Sequence, residues 1–229
     1  MRPLARSLYR NYRQLAVIGS LVFATAVSVG LLGLRVVYTR GFDFMGLGWN
    51  LFLAWLPLLC ALAAYNVYKR RSRLSWLVVA GCAVSWLIFF PNAPYLVTDI
   101  VHLQSTGGVP YWYDLIMVIG FAWTGLFLGL VSLYLMQSLV RQAAGGPASW
   151  VFALAVSGLS GFGIYLGRFL RWNSWDLLLS PVSLLADVAE RLRHPLAHYQ
   201  TFVFSAMFSL FFISAYFILV AMMSLQKDL

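Results

Sequence analysis

Charge is what this chain has least of. Only 10% of its 229 residues are Asp, Glu, Lys or Arg, and just seven are acidic, against about 25% charged residues in an average soluble domain. So little charge excludes an ordinary cytosolic globule and a disordered chain alike. The two cysteines, Cys60 and Cys82, both lie inside apolar runs. They are too few for a secreted disulfide scaffold and read as small core residues. The sequence also lacks zinc-ligand spacing and any glycine-rich phosphate loop.

Apolar material dominates instead: 62% of residues are hydrophobic and 17% aromatic, with a mean hydropathy of +0.81. A membrane-crossing helix needs about 20 mainly apolar residues. Six stretches meet that length, at about 15–37, 49–68, 74–91, 112–137, 149–170 and 200–224. The fold class is therefore all-α: a polytopic membrane protein of six transmembrane helices, with residues 1–229 as a single membrane domain. No internal repeat and no soluble domain is visible. The first stretch follows four arginines, as a signal peptide would, and contains Ala24-Thr25-Ala26. That triplet sits mid-run, and the apolar stretch continues to Val37, so the segment reads as an uncleaved span.

The formal charge of +9 would suggest nucleic acid in a soluble protein. Here its distribution is a matter of topology. Ten basic residues lie on one side of the membrane: Arg2, Arg6, Arg10, Arg13, Lys69, Arg70, Arg71, Arg73, Arg141 and Lys227. Six lie on the other: Arg35, Arg40, Arg168, Arg171, Arg191 and Arg193. The positive-inside rule then places both termini in the cytoplasm, and the expected partners are membrane lipids and other membrane proteins, not nucleic acid.

Some features read as packing. Gly125-x-x-x-Gly129 and Gly163-x-x-x-Gly167 let helices approach closely. Pro57 is expected to kink the second span. Trp49, Trp55, Trp112, Tyr113 and Trp150 fall near the span ends and suit aromatic belts.

The polar residues are unevenly placed. Asn92, Tyr95, Thr98, Asp99, His102, Asp114, Arg168, Arg171, Asn173 and Asp176 all fall on the extracytoplasmic side, and ionisable groups at membrane depth are functional candidates. In Phe90-Pro91-Asn92-Ala93-Pro94-Tyr95 the two prolines end the third span. Asn92 is placed to cap a short helix beginning near Pro94. On an α-helix Tyr95, Thr98, Asp99 and His102 share a face, which should meet a wet cavity or polar partners. Asp99 and His102 can act as a carboxylate–imidazole pair for proton transfer or supply two metal ligands. Asp114 opens the fourth span, where it either favours the helix N-terminus or pairs with an arginine, Arg168 and Arg171 being the obvious candidates. Those two arginines, three apart, can point the same way and clamp a phosphate or carboxylate. They can equally cap the helix or reach to lipid headgroups.

Farther on, Ser180-Pro181 reads as the start of an amphipathic helix to about Arg193 on the outer surface. Val182, Leu185, Val188, Ala189 and Leu192 form its apolar face, with Asp187 and Arg191 paired on the other.

The Phe90–Tyr95 segment, Thr98-Asp99 with His102-Leu103, Tyr113-Asp114, and Gly167-Arg168-Phe169 with Arg171-Trp172-Asn173-Ser174-Trp175-Asp176 together resemble the domain of unknown function 1361 family. The resemblance spans roughly residues 50–222 and implies a small multi-pass protein of the bacterial inner membrane, with no activity attached. Three functional readings stay open on the residues. One is binding or translocation of an anionic, lipid-like ligand by Arg168, Arg171, Asn173, Asp176, Asn92 and Tyr95, with Asp99, His102 and Asp114 handling protons. The second is a membrane-embedded hydrolase or transferase using Asp99 and His102. The third is a non-catalytic membrane subunit. Whether it is an enzyme, and which cofactor or metal it takes, stay open.

Overall fold

The computed structural model describes residues 3–68, 72–103 and 108–228, with side chains described between 14 and 225 in those stretches. Of the orientation count, Arg2 and Lys69–Arg71 lie outside the described residues, as do the side chains of Arg6, Arg10, Arg13 and Lys227.

Every regular element among the described residues is helical: α1 (Pro3–Thr39), α2 (Met45–Tyr68), α3 (Arg73–Phe89), α4 (Asn92–Tyr95), a 3-10 segment (Leu96–His102), α5 (Tyr111–Ala144), α6 (Gly146–Leu170), α7 (Asp176–Leu179), α8 (Pro181–Arg193) and α9 (Tyr199–Asp228). Six segments are long and apolar enough to cross a membrane: Gln14–Thr39, Met45–Tyr68, Arg73–His102, Tyr111–Ala144, Gly146–Leu170 and Tyr199–Leu225. Six crossings return the chain to its starting side. With the six spans taken as successive crossings, the start of α1 and the end of α9 fall on one face, termed terminal, and the opposite face is termed distal.

The spans expected from composition match these closely, with one extension. The fourth runs on past 137 to Ala144, because Gln137, Ser138 and Arg141 continue the helix and Gly145, at φ 89°, ends it. At 1.5 Å per residue α5 is about 51 Å long, well beyond the roughly 30 Å of hydrocarbon. It is the central column, packed by α1, α2, α6, α9 and the α4 turn. One buried cluster joins it to α2 and α1 through Leu47, Leu51, Leu58, Met117, Phe121 and Leu128. Another joins it to α3, α6 and α9 through Trp86, Phe90, Leu133, Ile164, Phe212 and Tyr216. Cys60 and Cys82 are free thiols, half-buried against that second cluster. Pro57 lies inside α2, which continues through it as one helix.

The third span is broken where the prolines stand. Pro91 and Pro94 donate no backbone hydrogen bond, so the ladder shifts: Ala93 N donates to Phe90 O at 3.2 Å, leaving Phe89 O without its usual partner four residues on. Asn92 Nδ2 fills that vacancy at 3.0 Å. Asn92 therefore does not cap a new helix. Pro91 and Leu96 on either side of the turn keep right-handed helical angles, without the extended conformation an N-cap requires. Beyond the turn the chain winds into a 3-10 segment rather than the expected α-helix.

The small-residue pairs hold this break from two sides. A Cβ on Gly125 would lie 2.6 Å from Ala93 O and 2.5 Å from Leu96 Cδ1, and one on Gly129 would lie 3.3 Å from Pro94 Cδ. From α6, a Cβ on Gly163 would meet Pro91 at 3.0 Å, and one on Gly167 the Tyr95 ring at 3.3 Å. Both glycine pairs thus seat the kink rather than a straight partner helix.

Candidate functional site

Arg168, in the last turn of α6, organises the distal face. Its Nη2 donates to Asp99 Oδ1 at 2.7 Å and to Thr98 Oγ1 at 2.8 Å, and its Nε reaches the same Thr98 oxygen at 3.1 Å. Its Nη1 contacts His102 Nε2, and the guanidinium lies 4.7 Å above the Tyr95 ring centroid. The four residues expected to share a polar face all converge on this one group. They do so because a 3-10 segment has three residues per turn, bringing Tyr95 with Thr98, and Asp99 with His102, onto neighbouring lines.

Charge and hydrogen bonding balance closely here. Asp99 is 4% exposed, and its Oδ2 accepts from Asn50 Nδ2 at 3.0 Å. The Thr98 hydroxyl donates to Tyr95 O at 2.6 Å while its lone pairs accept from Arg168. Arginine only donates, so in this contact His102 Nε2 takes the acceptor role.

This geometry corrects two expectations. Asp99 and His102 do not bond to each other among the described contacts; each meets the Arg168 guanidinium instead, Asp99 through Oδ1 and His102 through Nε2. Nor do Arg168 and Arg171 make one clamp. Arg171 ends α6 in the left-handed conformation, φ 61°, so the helical register that would align the two arginines stops between them. Arg171 is exposed and has no described ion pair, whereas Arg168 already has Asp99 as its counterion.

Asp114 belongs to a second, separate ion pair. Its partner is neither Arg168 nor Arg171 but Arg35 from α1, with Nε to Oδ1 at 2.7 Å and Nη2 to Oδ2 at 3.3 Å. Arg35 is 1% exposed, lies 4.5 Å over the Phe44 ring, and has Asp43 at 3.5 Å. A fork-on-carboxylate contact of this kind locks α1 beside the start of α5, helped by Tyr113 Oη donating to Leu31 O at 2.7 Å. Tyr113 thus ties α5 to α1. Trp55 ties α2 to α1, its Nε1 donating to Thr25 Oγ1 at 3.1 Å. Trp150 packs on Tyr216 and Phe217, while Trp49 and Trp112 stand exposed as expected.

The exit from α6 is tied back to the break. Asn92 Nδ2 donates to Ser174 Oγ at 2.8 Å, and Ser174 Oγ donates to Ile88 O at 3.1 Å. Asp176 Oδ2 accepts from Asn173 N at 2.7 Å, so these two residues chiefly shape their own turn. Trp172 Nε1 donates to Asp187 Oδ2 at 2.8 Å, anchoring α8. That helix has the expected limits and the expected Asp187–Arg191 neighbours, 3.8 Å apart, but this side turns toward the bundle together with Leu184, while Glu190 and Arg193 stay exposed. Arg191 is 8% exposed, while Val182 and Leu185 are 80% and 60% exposed. Such an orientation suits a helix whose outer surroundings are lipid rather than water.

Between α2, the break, α6 and the α7–α8 segment lies a cavity of about 200 Å³. Trp49, Tyr95 and Trp172 give it aromatic walls, and Asn50, Asn92, Asn173 and Ser174 its polar groups. No charged side chain lines it. Among the described residues, no three His, Cys, Asp or Glu side chains come together in a way that could hold a metal ion.

The acidic residues complete the electrostatics. Six of the seven, Asp43, Asp99, Asp114, Asp176, Asp187 and Glu190, lie on the distal face beside its six arginines, and only Asp228 is on the terminal face. The distal face is neutral in sum, and the formal charge of +9 resides at the other end.

Sequence reasoning passed over Asn50 and used Arg35 only in the charge count. A lone amide in the second turn of α2 and a cation inside an apolar run are the signals that could have found them. No curated protein and no solved structure matches the chain. A family model described as protein of unknown function (DUF1361) matches residues 49–215, from the first wall of the cavity into α9, and the chain belongs to that family.

Proposed function

We propose that this protein binds a membrane amphiphile whose uncharged, hydroxyl-bearing head enters the distal cavity, with both termini in the cytoplasm and the cavity at the outer leaflet. The observation that carries this reading is the bonding state of the polar wall. Asn92 Nδ2 is already committed to Phe89 O and Ser174 Oγ, and Asn50 Nδ2 to Asp99. Each amide has its oxygen left over, without a described partner. Leftover amide acceptors call for a ligand that donates, and the Trp49 indole N–H and Tyr95 hydroxyl in the same wall can donate in return, a combination a hydroxyl-bearing head satisfies. A cavity of about 150 Å³ takes a benzene ring, so this one suits a ring-sized head with its apolar faces against Trp49 and Trp172. The apolar tail stays among the lipids outside α8.

Arg171 supports a second reading. It is the exposed arginine beside Trp172 and Asn173, and an anionic group on the ligand would meet it at the rim. Arg168 is less suited to that task, since an anion there would have to displace Asp99.

Native mass spectrometry of gently purified protein tests both. An adduct of lipid mass that persists in Arg171→Gln and disappears in Asn173→Leu, which removes an amide and intrudes on the cavity, is the expected result. Loss in Arg171→Gln with retention in Asn173→Leu would favour the anionic reading. A bare mass for the wild type would overturn ligand binding as stated.

A further inference from the structure

At the opposite end of the bundle, between the ends of α5 and α9 and the start of α6, lies a recess of about 170 Å³ walled by Tyr134, Gln137, Arg141, Ser149, Trp150 and Met223, among others. We infer that it is a binding site for the phosphate of an anionic phospholipid in the leaflet at the terminal face.

Three donors on one stripe of α5 carry the inference. Tyr134, Gln137 and Arg141 follow one another at three and four residues, the spacing of a single helix face. Gln137 is 7% exposed, and its Oε1 is held by the Tyr216 hydroxyl. The amide nitrogen is thus the part of that side chain left to face the recess. No hydrogen bond is described for the Tyr134 hydroxyl, and no ion pair for the Arg141 guanidinium. A buried amide oriented by a second side chain, a phenol and a permanently charged fork together make a donor-rich stripe; the Ser138, Ser149 and Ser224 hydroxyls beside it donate to backbone carbonyls, and among the described residues no carboxylate lines the recess. Oxygen acceptors with negative charge match such a wall.

The source of the phosphate is set by position and charge. Trp150, Val220 and Met223 provide an apolar flank where the spans end, suiting a glycerol backbone rather than a free ion. Nine further basic residues lie on this face by sequence, against Asp228 alone. Each basic residue near an anionic leaflet adds to the attraction between this face and acidic headgroups. This site shares no residue with the distal cavity, so its success or failure is independent of the reading given for that cavity.

The test is a native mass spectrometry titration of the full chain with phosphatidylglycerol, repeated with inorganic phosphate as competitor. Wild type should retain the lipid, with affinity falling about tenfold in Arg141→Gln and severalfold in Tyr134→Phe. Arg73→Gln removes the same charge from the same face, away from the recess, and should change affinity less than about twofold. Equal losses in Arg73→Gln and Arg141→Gln would reduce the effect to the general field of the face and overturn the site. Displacement of the lipid by millimolar inorganic phosphate would overturn the lipid assignment. Asn173→Leu, which intrudes on the distal cavity, should leave this binding unchanged.

Discussion

The two glycines of one pair make the sharpest test of how the third span is held. Gly125→Ala puts a methyl 2.6 Å from the Ala93 carbonyl oxygen and 2.5 Å from Leu96 Cδ1. Ordinary contact for such atoms begins near 3.4 Å, so the break must move away from α5 by about 0.8 Å. The Leu96 methyl can rotate aside, but the carbonyl is backbone, in a turn packed between α5 and α2. Overpacking of this kind costs about 1–3 kcal/mol, partly offset by roughly 1 kcal/mol of helix propensity that alanine has over glycine. The displacement also stretches the contacts of Arg168 to Thr98 and Asp99, 2.8 Å and 2.7 Å in length, where charge-assisted bonds have little slack.

The expected net loss is about 2 kcal/mol, or roughly 4–8 °C in apparent midpoint for a domain of this size. Gly129→Ala is the matched control. Its methyl would meet Pro94, Ala93 and Phe212 side chains at 3.3–3.5 Å, needs a shift of only tenths of an ångström, and should stay within about 1 kcal/mol of wild type. Thermal unfolding in one detergent at one scan rate, followed by tryptophan fluorescence, compares the two. Equal midpoints for the two variants would refute the claim that α5 is shaped around the kink.

Two further expectations concern the arginines. Asp99→Asn strands a cation that is 11% exposed, and should lower stability by about 3 kcal/mol in the same thermal assay, whereas the double change Asp99→Leu/Arg168→Met should recover most of that loss. If the double variant is as unstable as the single one, Arg168 is held by more than the ion pair. Arg171→Gly removes a side chain from a left-handed position and should raise the midpoint slightly, by about 1 kcal/mol in stability. A clear fall instead would mean that the Arg171 side chain has a partner essential to the fold.

Much of the architecture was legible in the chain for a plain reason. Burial in lipid is a local, additive property of about 20 consecutive residues, so the six spans, the proline break and the amphipathic segment after Pro181 could be counted off the chain. The polar line Tyr95, Thr98, Asp99, His102 was also visible, because near-repeats of three or four residues point one way in any helix. Other features depended on which helix stands next to which. Asp114 faces Arg35 rather than an arginine of α6, because α1 packs against the start of α5. Arg168 is spent on Asp99 while Arg171 is left without a described counterion, because α6 ends between them.

The sequence alone therefore determined the membrane class, the number of crossings and the residues that must find polar company. Tertiary structure decided which of them meet, that α8 turns its Asp187–Arg191 side inward, and that Asn50 and Asn92 are left with amide oxygens, not nitrogens, to offer at the distal cavity. The physical difference lies in reach. Hydrophobic patterning is settled within one helix, whereas a buried charge or amide takes its partner from whichever neighbour the packing of glycine against proline brings within hydrogen-bonding distance.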